Sequence, residues 1–482
     1  MTVSDNSLPA YSRDRQRWTL VLASFASFMV GLDVLVVTTA LPTLHEELGA
    51  GVSGLGWTVS AYELGFAAFI LTGAALGDRF GRRALFVTGV GIFTISSALC
   101  ALSGSIETLI AARGLQGIGG AIAIALALAV ITDATPPQER GAAFGVWGAI
   151  SGVAVAAGPL VGGLIIQGFA WQWIFWLNVP VGVILIAMSM MKIAETKGET
   201  RSIDLLGLVL STLGVFGIAQ ALIRGGEVGW TSPLILGGFA GGVIALVLFV
   251  LWETRTSSPM MPLSMFRNLS FTGGCLAGFV LAAALYGNGF VFAQYLQLAE
   301  GNDPLGVGIR MLPWVGLAIV ISPIAGKMAD KMGERPLVMA GLLLHGIGFL
   351  AIALMASAGT GYGPMIFPLL LAGIGVSIAF PTVASAVMRS VSPMQVGMAA
   401  GVSNTIRQVG AVFGVAAAAA VFTATGGYGA SEQFVAGFTP ATIVLSVVTF
   451  AGVVIAMIIR RPDYEAAPAP APSDAQPDPA TS

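Results

Sequence analysis

Fourteen apolar stretches, each about 18 to 28 residues long, occupy nearly the whole of a 482-residue chain. Runs of that length match the hydrocarbon layer of a bilayer crossed by an α-helix, and soluble cores rarely contain them. Lipid offers no partner for backbone N–H and C=O groups, so each stretch must satisfy its own by coiling. A mean hydropathy of +0.88 and a charged fraction of 10% fit a chain that lies mostly in hydrocarbon. The chain reads as an all-α polytopic membrane protein. A polar side chain inside a stretch is expensive there and is a functional candidate for that reason.

The stretches fall near 18–40, 57–77, 84–103, 107–131, 144–167, 173–191, 205–223, 233–252, 270–298, 307–326, 337–357, 363–387, 399–423 and 438–459. An even count places both termini on one side. With the N-terminus inside, eighteen of the 22 Lys and Arg residues lie in inner loops or tails. The others are Arg113 and Arg407 within spans, Arg310 near an outer end and Arg224 in an outer loop. Cytoplasmic loops carry the basic excess, so both termini read as cytoplasmic. Arg13, Arg15 and Arg17 precede a first stretch too long for a signal peptide and without a clear cleavage site, which reads as an uncleaved span. The Pro-, Ala- and acid-rich tail 461–482 reads as disordered. Cys100 and Cys275 lie in apolar runs and read as small core residues with no disulfide. Arg outnumbers Lys 18 to 4, a bias of GC-rich bacterial genomes, and this points to a bacterial cytoplasmic membrane.

One inner loop occurs twice. Leu76-Gly77-Asp78-Arg79-Phe80-Gly81-Arg82-Arg83 follows span 2, and Met328-Ala329-Asp330-Lys331-Met332-Gly333-Glu334-Arg335 follows span 10. Both fit D-[RK]-x-G-x-R on the same face, which predicts two related halves. The glycine permits a tight reversal, the cations stay in water, and the acid can face a neighbouring helix N-terminus.

Four charges sit inside spans. Asp33 lies mid-span in helix 1, where a carboxyl can take up and release a proton near neutral pH, or be locked in a structural hydrogen bond. Glu63, in helix 2 about one turn from the outer interface, is open between a second proton site, a cation contact and a place in an outer vestibule. Arg113, in the outer half of helix 4, cannot shuttle a proton but can compete for a nearby carboxylate, or simply pair to hold helices 1 and 4. Arg407, in Asn404-Thr405-Ile406-Arg407-Gln408 of helix 13, is a further buried cation. Gly148 with Gly152 and Gly158 with Gly162 line one helix that Pro159 kinks, which suits either static packing or the rocking of one bundle on another. Asn288, Gln294, Tyr295, Gln297, Phe290, Phe292, Trp314, Phe380 and Met388 are candidates to line a cavity, since aromatic and Met faces tolerate varied apolar ligands.

At these residues the chain resembles the major facilitator superfamily, and within it the fourteen-span drug:proton antiporter family, from Trp18 to about Arg460. Asp78 to Arg83 is similar to the superfamily's inner-loop signature, with Ala74 where its first glycine is usual. Leu109 to Gly120, centred on Arg113-Gly114-Leu115-Gln116-Gly117, resembles the span 4 signature. Gly158-Pro159-Leu160-Val161-Gly162-Gly163, with Gly145 upstream, resembles the span 5 antiporter signature, with Ala154 in place of one glycine. Leu32-Asp33 through Leu41-Pro42 and Trp171 through Pro180 are similar to the span 1 and span 6 signatures, the latter with Gln172 where arginine is common. The resemblance implies a major facilitator fold. A cytoplasmic segment (1–17) leads to one six-helix bundle (18–191), two inserted helices (205–252), a second six-helix bundle (270–460) and the tail. It also places Arg113 at the coupling site and assigns no role to Glu63. Spans 9 to 14 contain no acid, unlike those of some relatives.

The expected function is a proton-coupled antiporter exporting small amphipathic drugs or antibiotics by alternating access. It would need no cofactor beyond the proton gradient and no nucleic acid, and a monomer is expected. One charge crossing 100 mV yields about 2.3 kcal/mol, and about 1.4 kcal/mol is tenfold in concentration. The alternative is a facilitator-type importer, a proton symporter of a small nutrient, against which the span 5 signature and the inserted helices both argue through the resemblance. Enzyme chemistry lacks support: His45-Glu46 has no second His at zinc spacing, His345 stands alone, and no phosphate-binding G-x-x-x-x-G-K-[ST] loop occurs.

Overall fold

A computed structural model describes residues 13–136, 139–197, 204–259, 261–357, 359–391 and 395–460. Residues 1–12, Arg201 and the tail 461–482 lie outside these, as do the side-chain surroundings of Gly145 and Asp330. The elements are helical: α1 (Arg13–Leu48), α2 (Val52–Phe80), α3 (Arg82–Ala101), α4 (Ile106–Ala134), α5 (Arg140–Gly168), α6 (Trp173–Trp176), α7 (Asn178–Lys192), α8 (Leu205–Val228), α9 (Pro233–Glu253), α10 (Leu269–Gln294), α11 (Pro304–Val315), α12 (Ala318–Met332), α13 (Glu334–Met355), α14 (Gly363–Arg389), α15 (Val396–Thr425) and α16 (Ser431–Ala456).

Among the described residues, twelve helical segments are long and apolar enough to cross a membrane, or thirteen when the two limbs of α2, bent by 46° around residue 71, count as one. The sequence-based count of fourteen also takes in α5, whose separately recognised apolar stretch is the shorter Ala157–Gly168. Two segments are interrupted. α6 and α7 together make Trp173–Lys192, and α11 and α12 together make Pro304–Ala329. The second break falls at Gly316 and Leu317, three residues after Pro313. Helices overrun the apolar stretches at their wet ends, α1 by five residues before Trp18 and eight after Ala40. Hydropathy marks where lipid stops, whereas backbone hydrogen bonding continues into water.

Helices α1 to α7 pack mainly among themselves, α4 lying against α1, α2 and α3, and α5 against α1. Helices α10 to α16 do likewise, with α10 against α15 and α16 and α13 against α14 and α16. The pair α8–α9 attaches through α8 to both α2 and α15, so it touches each half. The halves meet chiefly through α2 with α15 and α5 with α11.

Missing side chains set these approaches. A Cβ on Gly117 of α4 would lie 2.0 Å from the Tyr62 carbonyl oxygen, and one on Gly65 of α2 would lie 2.4 Å from that of Gly114. Backbone therefore rests on backbone where α2 crosses α4, which accounts for the glycines around Arg113. On α5, Gly158 and Gly162 face α1, against Leu35 and Thr39, while Gly163 faces α11, its absent Cβ 2.3 Å from the Pro304 carbonyl oxygen. Across the same seam Gly308 rests on Pro159.

At the end carrying the repeated loops, the two copies differ in sign. Arg82 donates to Asp78 (2.8 Å) and to Asp133 at the C-terminal end of α4. At the matching place in the second loop stands Glu334, buried, which pairs with Arg389 at the C-terminal end of α14 (3.3 Å) and accepts from Ser385 (2.9 Å). The position that is cationic in the first half is anionic in the second, and its partner is reversed with it. Gly81 joins α2 to α3 at φ 116°, and Gly333 joins α12 to α13 at φ 81°, a region that side chains disfavour. Glu195 accepts from the backbone N–H groups of Arg83 (3.0 Å) and Ala84 (3.1 Å), so it caps α3. Arg79, Lys331 and Arg335 are exposed at this end.

Candidate functional site

Asp33 and Arg113 come together in the core of the first half. The guanidinium Nη1 donates to Asp33 Oδ2, and each residue is 1% exposed. The position of Arg113 follows from the start of α4, where Ser105 and Thr108 form a reciprocal capping box and bring the arginine round about two turns later. Its other bonds are Nε to the Thr58 carbonyl (3.2 Å) and Nη1 to Gln116 Oε1 (2.6 Å). The guanidinium also lies over the Tyr62 ring at 4.3 Å and near Phe175 at 5.8 Å. These contacts fix both the orientation and the charge of the cation.

The carboxylate is held from the other side by amides. Gln116 Nε2 donates to Asp33 Oδ1 (2.9 Å) and to Ser97 Oγ (2.8 Å). Asn178 Nδ2 donates to the same Oδ1 (3.0 Å) and to Ser97 (3.4 Å). Five helices, α1, α2, α3, α4 and α7, thus contribute to one polar cluster. Gln116, Asn178, Ser97, Thr58 and Tyr62 were not singled out from the sequence. The available signal was the polarity of Gln116 and Asn178 inside apolar runs.

Glu63 lies about three turns into α2, which begins at Val52. It is 1% exposed and accepts a hydrogen bond from Gln408 Nε2 of α15, so it bridges the two halves rather than facing an outer vestibule. Arg407 and Arg113 both act on it electrostatically, one from each half. Arg407 is half-buried, donates to Asn404 (2.7 Å) and lies 5.2 Å over the ring of the exposed Phe380. Asn404, Arg407 and Phe380 are therefore together.

Met388 packs in the same apolar cluster as Ile406, beside Arg407, whereas most other cavity candidates lie elsewhere. Asn288, Phe290, Phe292, Tyr295 and Trp314 are buried inside the second half's own core. Gln294 donates to the Phe290 carbonyl and accepts from Tyr428, and Tyr295 donates to Glu300 and stacks on Phe438. Among the described residues, the Glu63–Gln408 bond ties the halves in the middle of α2 and α15, and a hydrogen bond from Gln167 to Asp303 (2.8 Å) and a His45–Tyr428 ring stack (4.4 Å) tie them toward the end opposite the repeated loops. Cys100 and Cys275 are buried and free. Among the described residues, no group of three or more His, Cys, Asp or Glu side chains could hold a metal ion.

Comparison with known proteins identifies the family. The family described as Major Facilitator Superfamily matches residues 23–415 and, in a second match, 274–482. The Multidrug resistance protein Stp of Mycobacterium tuberculosis is 33% identical over 411 residues, covering 85% of this chain and 76% of that protein. The Methylenomycin A resistance protein of Streptomyces coelicolor is 34% identical over 411 residues, covering 85% and 86%. The Tetracenomycin C resistance and export protein of Streptomyces glaucescens is 32% identical over 412 residues, covering 85% and 76%. Among solved structures, an inward-facing, unoccupied bacterial homologue of the human lysosomal transporter Spinster shares the fold with a TM-score of 0.64 at 16% identity, over 93% of this chain and 98% of that one. The chain is a multi-pass membrane protein that belongs to the major facilitator superfamily of transporters.

Proposed function

We propose that this protein is a proton-coupled antiporter that exports small amphipathic drugs or antibiotics across a bacterial cytoplasmic membrane. The observation that carries the reading is the buried Asp33–Arg113 pair with Gln116 and Asn178 around it. A carboxylate and a guanidinium both taken out of water depend on each other, and separating them is costly. Protonation of Asp33 removes one side of that dependence and frees Arg113, so proton binding and helix arrangement are linked. Glu63 connects this cluster to the second half through Gln408. The resistance and export roles in the relatives' names supply the substrate class.

In this reading fourteen helices span the membrane, α5 included. Two six-helix bundles, 18–191 and 270–460, flank the inserted pair α8–α9, and both termini are cytoplasmic. The end bearing Arg79, Arg82 and Arg83 then faces the cytosol, and the Gln167–Asp303 and His45–Tyr428 contacts lie on the outer side, in keeping with an inward-open state. Energy comes from the proton gradient without a cofactor, and one chain suffices. The test is Asp33→Asn in vesicles under an imposed acid gradient. Insertion with loss of proton-driven drug movement is expected, and normal coupled efflux by that variant refutes the assignment.

A further inference from the structure

The second half contains a buried polar cluster of its own, made of uncharged side chains. Asn288 on α10, Trp314 on α11, His345 on α13 and Thr442 on α16 are each at most 1% exposed. Both amide atoms of Asn288, both ring nitrogens of His345, Trp314 Nε1 and Thr442 Oγ1 make no hydrogen bond within the protein. Buried polar atoms without partners are rare and costly.

The four side chains converge. The Phe292 ring meets Phe349 (5.8 Å), Phe438 (6.4 Å) and Trp314 (6.4 Å) in one aromatic layer. Residues four apart share a helix face. Asn288 is four residues from Phe292, His345 four from Phe349 and Thr442 four from Phe438. α10 and α13 run away from the repeated-loop end while α16 runs toward it, so all three steps lead to the same side of the layer. Trp314 reaches this level as well, with its ring centroid 6.2 Å from that of His345.

We infer that these residues bind a small cluster of ordered water. The atom set identifies the ligand. Asn and Thr each donate and accept, neutral imidazole does both through its two nitrogens, and indole only donates. A bare anion needs donors alone and a bare cation acceptors alone, whereas water matches a mixed set, each molecule making about three hydrogen bonds. The aromatic layer of Phe292, Phe349 and Phe438 closes the cluster on one side. The first half thus holds an ion pair answered by protein amides, and the second holds a neutral polar cluster completed by solvent.

His45 and His345 are the only two histidines, so deuterium uptake at the imidazole C2 position, read by mass spectrometry on the full-length protein in detergent, reports each separately. We expect His345 to exchange measurably, more slowly than His45, and Asn288→Leu to slow it further while lowering the melting temperature. Thr442→Val, nearly isosteric, is expected to lower the melting temperature too and serves if Asn288→Leu does not fold. A His345 that takes up no deuterium while His45 goes to completion, or apolar variants that melt at or above the parent temperature, overturns the inference.

Discussion

Replacing Arg113 by lysine keeps the charge and discards the geometry, which makes it a sensitive test of the candidate site. The guanidinium meets Asp33, Gln116 and the Thr58 carbonyl through two nitrogens while its face lies 4.3 Å from the centroid of Tyr62. A lysine ammonium is a single point of charge and can stay with Asp33, but it cannot also reach Thr58 from the Nε position or stack on the ring. A lost charge-assisted hydrogen bond is worth about 1.5–3 kcal/mol, and a desolvated cation–π contact about 0.5–2 kcal/mol. A penalty of about 3 kcal/mol corresponds to a change on the order of 100-fold in the equilibrium between paired and released arrangements. The assay is uptake of an amphipathic dye into inside-out vesicles under an acid gradient, normalised to inserted protein. We expect Arg113→Lys to retain a few per cent of the parent rate or less. Parent-like transport together with a lowered melting temperature would refute a coupling role and leave Arg113 a structural brace.

Three further outcomes follow from the geometry. Glu63→Gln replaces the carboxyl that links the halves through Gln408 by an amide that cannot titrate, and a shifted substrate range or pH optimum of efflux is expected; identical profiles would leave the bridge without a part in transport. Gly163→Ala places a Cβ 2.3 Å from the Pro304 carbonyl, so we expect normal membrane insertion with at least tenfold slower efflux, checked in the same vesicles. At the repeated-loop end, Arg389→Glu alone sets two acids together and should lower transport and melting temperature, whereas Glu334→Arg with Arg389→Glu should recover most of both. A double variant as impaired as the single one would show that the reversed pair is not the relevant contact.

Asp33 and Arg113 are legible because a charge in an apolar run stands out whatever the fold, and the structure sets them side by side. Gln116, Asn178 and Ser97 are less so. An uncharged polar residue in a span is common enough that only convergence in space separates a ligand of Asp33 from an isolated amide. Glu63 is legible as a charge in an apolar run, but its meeting with Gln408 of the other half shows only in the folded chain. Glu334 was hidden for another reason: in D-[RK]-x-G-x-R it occupies a position of no stated type, and its meaning appears only when Arg389 is seen opposite it. The helical architecture was readable because lipid leaves the backbone so few options. The division between residues facing a cleft and residues facing a half's own core was not, because both faces are apolar.

The contact between α5 and α11 has one more implication. Where Gly163 meets the Pro304 backbone and Gly308 meets the Pro159 backbone, each glycine lies flat on the main chain opposite and sets no side chain of its own between them. Interlocked side chains resist shear because each must leave its notch before the next can be entered. A smooth joint has no such teeth, so a small swivel about it requires no reshuffling of rotamers, and the work of moving one half is concentrated in the few polar ties elsewhere.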